Sequence, residues 1–369
     1  MYAIFLLFSF GVTFAASQQS FSVTQQRNPN FIKNSQAALA KVQLRYVVTG
    51  SVVASPQEFD SEYFCPVTIG DQTLNLDFDS GATDLWVIST AVADAQNHTI
   101  FDPTKSETFY NLKGSTFNTS FQEGSGASGT VGTDSISIGS VTSPNQAFGV
   151  ANLISQRFSE DTPLSGIFGL GFPSRGTITP KKQTPWFFNV LSHLVQPVFT
   201  ADLKHAAPGS YDFGFIDPKK YTGHIAYVPR NSSSERWQIE CSGFAVGDAP
   251  VQPAPFQVVL DTGSSFLFLD DTVVESYYKQ VNGAQNIAAE GGWVFPCNAT
   301  LPDISFQIGS HLSMLNKDSL IFEELTATTC FGAVQSNGGG ANVFGDTFFK
   351  EQFVVFDAGR GRIGVADKH

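Results

Sequence analysis

The segment 74–87 reads LNLDFDSGATDLWV, and the segment 256–271 reads FQVVLDTGSSFLFLDD. Each carries an apolar, β-like run into an Asp, a hydroxyl residue and a Gly: Asp79-Ser80-Gly81 in the first, Asp261-Thr262-Gly263 in the second. A single Asp at the end of a strand before a Gly turn is an ordinary turn. A second copy with the same flanks is not, and each copy has a matching downstream piece. Ile167-Phe168-Gly169 ends 90 residues beyond Asp79, and Val343-Phe344-Gly345 ends 84 residues beyond Asp261. Ordered matches at similar spacing predict a duplicated lobe. They place one carboxylate in each half, at the tip of a strand where backbone N–H groups can reach it. Two such carboxylates facing across a cleft cannot both ionise cheaply and share a proton. One then serves as general base toward a water and the other as proton donor, with neither a metal nor a covalent intermediate required.

Composition supports a large folded, mostly β chain. Its 369 residues are 42% hydrophobic and 15% charged, with 35 Phe and 33 Gly. Short β-branched and aromatic runs are broken by Gly, Ser, Asn and Asp, and long helical patterns are scarce. The net charge of −12 argues against nucleic acid as a partner. That charge is uneven. Residues 1–50 hold Arg27, Lys33, Lys41 and Arg45 and no acidic residue, leaving −16 on the remainder. A basic arm before an acidic body is the pattern of a segment that covers an acidic cleft.

The first residues, MYAIFLLFSFGVTFAAS, hold an apolar stretch of 14 residues from Ala3 to Ala16, too short to span a bilayer. They read as a signal peptide, 1–16, cleaved after Ala15 or Ala16. No membrane anchor is expected. The expected product is secreted and extracellular, with a vacuolar destination as the variant of the same route. Four glycosylation sequons, at Asn97, Asn118, Asn231 and Asn298, fit that route. The four cysteines are Cys65, Cys241, Cys297 and Cys330, and an oxidising compartment permits three full pairings of them. No metal-ligand spacing accompanies them, and no metal or other cofactor is expected.

Several further stretches extend the signal: EYFCPVTIGDQ before the first phrase, EGSGASGTVGTDSISIG from Glu123, LKHAAPGSYDFGFIDPKKYTGHIAYVP from Leu203, WVFPCNATLPDISFQIG from Trp293, and TCFGAVQSN with VFGDTFFKEQFVVFDAGRGRIGVA to Ala366. With the two Asp phrases they resemble the pepsin-like aspartic proteases, and the fungal aspergillopepsin and penicillopepsin kind above all, from Glu62 to the C-terminus. The resemblance implies a bilobal pepsin-like fold, with two related β-rich lobes and a cleft between them. It puts Asp79 and Asp261 on the catalytic pair, supported by Ser80, Gly81, Thr262, Gly263 and Ser264. It makes 121–124 (Phe121, Gln122, Glu123, Gly124) the tip of a flap over the cleft, backed by Trp86, with Ile167 and Phe168 in the lining. Cys297 and Cys330 fall on the family's disulfide. The organisation expected is a signal peptide at 1–16, a basic propeptide at 17–50 that inhibits the chain through Lys41 or Arg45, an N-terminal lobe at 51–221 and a C-terminal lobe at 222–369. The implied activity is acid endopeptidase action of a monomer on polypeptide substrates.

The sequence departs from that pattern in three places. Ser80 replaces the more usual Thr, a mild change that retains the hydroxyl. Ala82 stands where the family generally has a Ser whose hydroxyl meets the catalytic carboxylate, while the second copy keeps Ser264. The flap tip reads Phe121-Gln122-Glu123-Gly124 where the family has a Tyr, so the phenol that would bond the indole N–H of Trp86 is missing. These departures leave an alternative: a weakened or non-catalytic pepsin-fold peptide-binding protein. Cys65 and Cys241 are unusual for the fungal relatives, and stand open between buried thiols and a second bridge. GSGASG, from Gly124 to Gly129, matches a dinucleotide-loop pattern, but strand-like alternation follows it rather than a helix, so it reads as a hairpin tip.

Overall fold

The computed structural model of the chain describes residues 63–369 apart from 94, 96, 121–124 and 206, together with four short strands at 21–24, 26–27, 32–33 and 57–58. The expected signal peptide and most of the expected propeptide, Lys41 and Arg45 included, lie outside the described residues.

The fold is built from two sheets of the same plan and a third that joins them. In the first half, Tyr63–Ile69 and Gln72–Asp79 form a hairpin that turns at Gly70, whose φ of 56° is the left-handed value that favours glycine. Leu74, Leu76 and Phe78 alternate along the second strand and are all buried, as period-two patterning requires. That strand runs into Asp79. After the turn, the chain re-enters the sheet as Trp86–Ile88, and Gly166–Gly169 is inserted between the two. It pairs parallel with the first, Gly169 beside Asp79, and antiparallel with the second, Ile167 beside Trp86. The second half repeats this. Gln252–Leu260 runs to Asp261, Leu267–Leu269 follows the turn, and Asn342–Phe344 lies between them, parallel to one and antiparallel to the other. The two sequence repeats are therefore one strand arrangement used twice, in an eight-stranded and a seven-stranded sheet.

The joining sheet has six strands in the order 21–24, 207–213, 198–204, 352–357, 362–367 and 226–229. The expected lobe division at 221 falls between strands of this sheet. Phe21–Thr24, inside the expected propeptide, forms its edge, paired antiparallel with Ala207–Phe213. Much of the Phe content is spent here and just above. Phe199 stacks on Phe356 at 4.3 Å, and Phe78, the residue before Asp79, stacks on Phe168 at 4.6 Å. A four-stranded sheet at 285–332 completes the second half, and the Cys297–Cys330 disulfide links the end of one of its inner strands, Gly292–Pro296, to the other, Thr329–Gly332.

Candidate active site

The two Asp turns meet back to back. The backbone N–H of Ser80 donates to Thr262 Oγ1 at 3.0 Å, and the N–H of Thr262 donates to Ser80 Oγ at 2.9 Å. Each hydroxyl then donates across the join, Ser80 to the carbonyl of Leu260 at 2.9 Å and Thr262 to that of Phe78 at 2.7 Å. Four hydrogen bonds thus tie residues about 180 positions apart, all within a fully buried setting. The role of Ser and Thr is chemical: a hydroxyl accepts and donates at once, which no other small side chain does. Ser80 in place of the usual Thr keeps that capacity.

The glycines explain the third position of each phrase. A Cβ at Gly81 would lie 2.5 Å from every carboxylate atom of Asp261, and one at Gly263 would lie 2.5 Å from both carboxylate oxygens of Asp79. Each turn therefore packs its bare backbone on the carboxylate of the other, and the two acids are brought to one point. Both are completely buried.

The two carboxylates are held by different kinds of donor. Asp79 Oδ1 accepts from the N–H groups of Gly81 at 2.8 Å and Ala82 at 2.9 Å. Asp261 Oδ1 accepts from the N–H of Gly263 at 3.1 Å, and its Oδ2 accepts from the hydroxyl of Ser264 at 2.8 Å. Ala82 lacks the hydroxyl expected at its position, yet its backbone still contributes a donor.

The surroundings correct part of the sequence reading. Trp86 is buried against Phe117 and Phe158, under the hairpin formed by Tyr110–Ser120 and Gly126–Ile138. That hairpin is the expected flap, but its tip, 121–124, lies outside the described residues. Phe168 is fully buried in the main core between Phe78 and Trp186, and Ile167 is fully buried in a smaller cluster with Trp86. Alternation along one strand sends them to opposite cores, so they back the Asp79 strand rather than face solvent.

Sequence reasoning overlooked a brace on the first turn. The N–H of Gly171 donates to the carbonyl of Ala82 at 2.7 Å, Thr83 Oγ1 to that of Phe172 at 3.0 Å, and Arg175 Nη1 to that of Gly81 at 3.1 Å. The carboxylate of Asp84 accepts from the N–H of Thr177. Burial raises the carboxyl of Asp84 above its ordinary range, and the Thr177 N–H draws it partly back. The one available signal was Arg175 itself, the only Arg between Arg157 and Arg230 in an acidic body.

Cys297 and Cys330 form the expected disulfide. Cys65 and Cys241 are buried free thiols, which decides between the two readings left open for them. They occupy equivalent strands but not equivalent places: Cys65 lies opposite Leu76, three residues before Asp79, and Cys241 opposite Phe256, five before Asp261. Among the sequons, Asn97, Asn118 and Asn298 are exposed. Asn231 instead spends its side-chain amide on Gln238 and Gln257 at 3.1 and 3.2 Å.

Comparison with known proteins agrees with this architecture. A family profile described as eukaryotic aspartyl protease matches residues 62–368. Penicillopepsin-1 of Penicillium rubens is 44% identical over 86% of this chain and 81% of its own length. Penicillopepsin-3 of Penicillium janthinellum is 40% identical over 96% of this chain and 92% of its own. Aspergillopepsin-1 of Aspergillus flavus is 42% identical over 86% and 79%. With its duplicated strand plan and paired Asp turns, the chain belongs to the eukaryotic aspartyl protease family and is an aspartic-type endopeptidase of the pepsin-like fold.

Proposed function

We propose that the chain hydrolyses peptide bonds at acid pH by activating a water between Asp79 and Asp261. The observation that carries this reading is the reciprocal packing of Gly81 on Asp261 and of Gly263 on Asp79. It supports a pair of carboxylates that share a proton, which is the state general acid–base hydrolysis needs. The donors favour one division of labour. Asp79 Oδ1 takes two fixed N–H donors, which stabilise its ionised form. Asp261 takes one fixed N–H, from Gly263, and a rotatable hydroxyl, which favours the ionised form but can turn to accept from a protonated carboxyl as well. Asp79 is then the base that takes a proton from the water, and Asp261 donates its own to the substrate carbonyl. The tetrahedral intermediate collapses as a proton passes to the leaving nitrogen, and both carboxyl groups return to their starting state. The N–H of Ala82 weighs against the reading of a disabled cleft, since the donor lost with the hydroxyl is met by backbone.

The same reading covers the rest of the chain. The signal-like start, the sequons and a disulfide fit an extracellular route, with two lobes meeting near residue 221 in a monomer. Among the described residues no helix is long and apolar enough to cross a membrane. The basic segment 17–50 acts as an inhibitory propeptide, neutralising the acidic pair until acid weakens the contact. The test is cleavage of acid-denatured globin with pepstatin as blocker. Wild type should cut it in a pepstatin-sensitive way, and Asp79→Asn and Asp261→Asn should each be folded and silent. Turnover above a trace in either variant would show that the pair is not the catalytic machinery.

A further inference from the structure

We propose that Trp237 is a positioning residue for the Asp79–Asp261 pair, closing a ring of hydrogen bonds that fixes one carboxylate-bearing strand against the other. The inference rests on the two-aspartate reading above and adds a residue to the same site.

Trp237 stands just before the strand Gln238–Val246 and is completely buried. Three aromatic rings enclose its indole. The ring centres of Phe172, Phe356 and Phe199 lie 4.6, 5.2 and 5.6 Å from its own. Phe199 and Phe356 belong to the joining sheet, and Phe172 follows the inserted strand Gly166–Gly169. Held in that cage, the indole directs its N–H to the carbonyl of Leu170 at 3.0 Å. An indole N–H only donates, so the contact has one polarity and does not titrate.

Each end of the contact runs on to one aspartate. On one side, the N–H of Leu170 donates to the carbonyl of Asp79 at 2.8 Å. On the other, the backbone carbonyl of Trp237 accepts from the N–H of Leu260, the residue before Asp261, at 2.8 Å. The carbonyl of Leu260 accepts from Ser80 Oγ at 2.9 Å, and Ser80 follows Asp79 in the chain. The ring is then complete: Ser80 to Leu260, Leu260 to Trp237, Trp237 to Leu170, Leu170 to Asp79. All five residues are buried. The hydroxyl join crosses from one Asp turn to the other directly, and Trp237 makes a second crossing through the strands behind them. Two strand ends can pivot about a single crossing, and a second crossing removes that freedom. The links of the ring are peptide units, whose dimensions are fixed, so it sets how far apart the two acids stand. A displacement of about 1 Å between reacting groups costs about 100-fold in rate, so small slack in this ring reaches the chemistry.

The experiment replaces Trp237 with 3-benzothienylalanine, which keeps the shape of the indole and lacks its N–H. Trp237→Phe serves as a second variant, and a melting curve of each reports folding. With an internally quenched peptide, kcat should fall about five- to tenfold while KM hardly changes. Affinity for pepstatin should weaken by the same factor as kcat/KM, since a mimic of the transition state needs the same spacing. The pH profile of kcat/KM should narrow from both ends. Carboxyl groups held less closely couple less, so their two macroscopic steps approach each other. Ser80→Ala breaks the ring at another bond. The benzothienylalanine variant carrying Ser80→Ala should lose less than the product of the two single losses. A folded benzothienylalanine variant with unchanged kcat would overturn the inference and make Trp237 an ordinary core residue. A loss in KM alone would overturn it too, as would a full product of losses in the double variant, which would mean that the bonds act separately. Wild-type rates in this variant beside silent Asp79→Asn would defeat this inference and leave the catalytic pair standing. If wild type cut no peptide, the catalytic reading would fall and this one with it.

Discussion

The unequal support of the two carboxylates makes a sharp prediction about pH. The hydroxyl of Ser264 donates to Asp261 Oδ2 at 2.8 Å in a fully buried setting. A hydrogen bond to a charged group is worth about 1.5–3 kcal/mol, and one to the neutral acid about 1 kcal/mol. The difference stabilises the ionised form by about 1.4 kcal/mol, or about one pKa unit. If Asp79 is the member already ionised in the active form, Asp261 loses its proton only at the upper macroscopic step of the pair. A donor to the ionised acid lowers that step, so Ser264→Ala should raise it. The basic limb of kcat/KM should move up by about one unit while the acid limb stays in place. Ala82→Ser tests the other end. A new donor to ionised Asp79 lowers the first step and moves the acid limb down, by less than one unit because two N–H groups already serve that oxygen. The assay is kcat/KM against pH for wild type, both single variants and the double variant. If Ser264→Ala moved the acid limb instead, the roles of Asp79 and Asp261 would be reversed. If neither variant moved either limb, the hydroxyl would have no part in setting the pair's protonation.

Other consequences are as direct. Thr262→Val keeps the shape but leaves the buried N–H of Ser80 and the carbonyl of Phe78 without their Thr262 partner, and should cost about 3 kcal/mol in urea unfolding. Gly263→Ala presses a methyl group onto the carboxylate of Asp79 and should lower kcat more than about 100-fold in stopped-time assays, with a smaller change in KM. The thiols of Cys65 and Cys241 are both buried, and burial pushes Cys241 up to about 11 and Cys65 well above the ordinary thiol range. A thiol reagent at pH 8 should therefore find neither in the native protein and both in denaturant before any reduction. Opening the Cys297–Cys330 bridge, which closes a separation of 33 residues, should lower stability by about 3–4 kcal/mol in paired unfolding curves.

How far the site could be read in advance follows from the range of the interactions. Strand periodicity and turn chemistry are local, so LNLDFDSG and FQVVLDTG announced two strands, two turns and a repeat. The contacts that make the site span about 180 residues, and no local pattern says that the Gly of one turn lies on the acid of the other. Ala82 looked like a lost donor because side chains are visible in a sequence and backbone N–H groups are not. Phe168 looked like cleft lining because apolar residues near a motif suit a pocket and a core equally, and only pairing with Asp77 to Asp79 fixes which face it takes. Arg175 lies 94 residues beyond the carbonyl it holds, in a stretch whose composition announces a turn and nothing more.

The join between the two Asp turns also has the placement of a fulcrum. Four hydrogen bonds and two glycine contacts lie where the halves of the molecule meet, and the catalytic carboxylates sit on that line. When one lobe rocks against the other by about 3°, a point about 20 Å from the axis travels about 1 Å, while a point on the axis hardly moves. The outer walls can therefore shift to receive differently shaped peptides without changing the distance between the two acids. Tolerance of sequence at the rim and strictness of geometry at the centre come from the same lever, and a loosened pivot would sacrifice the second before the first.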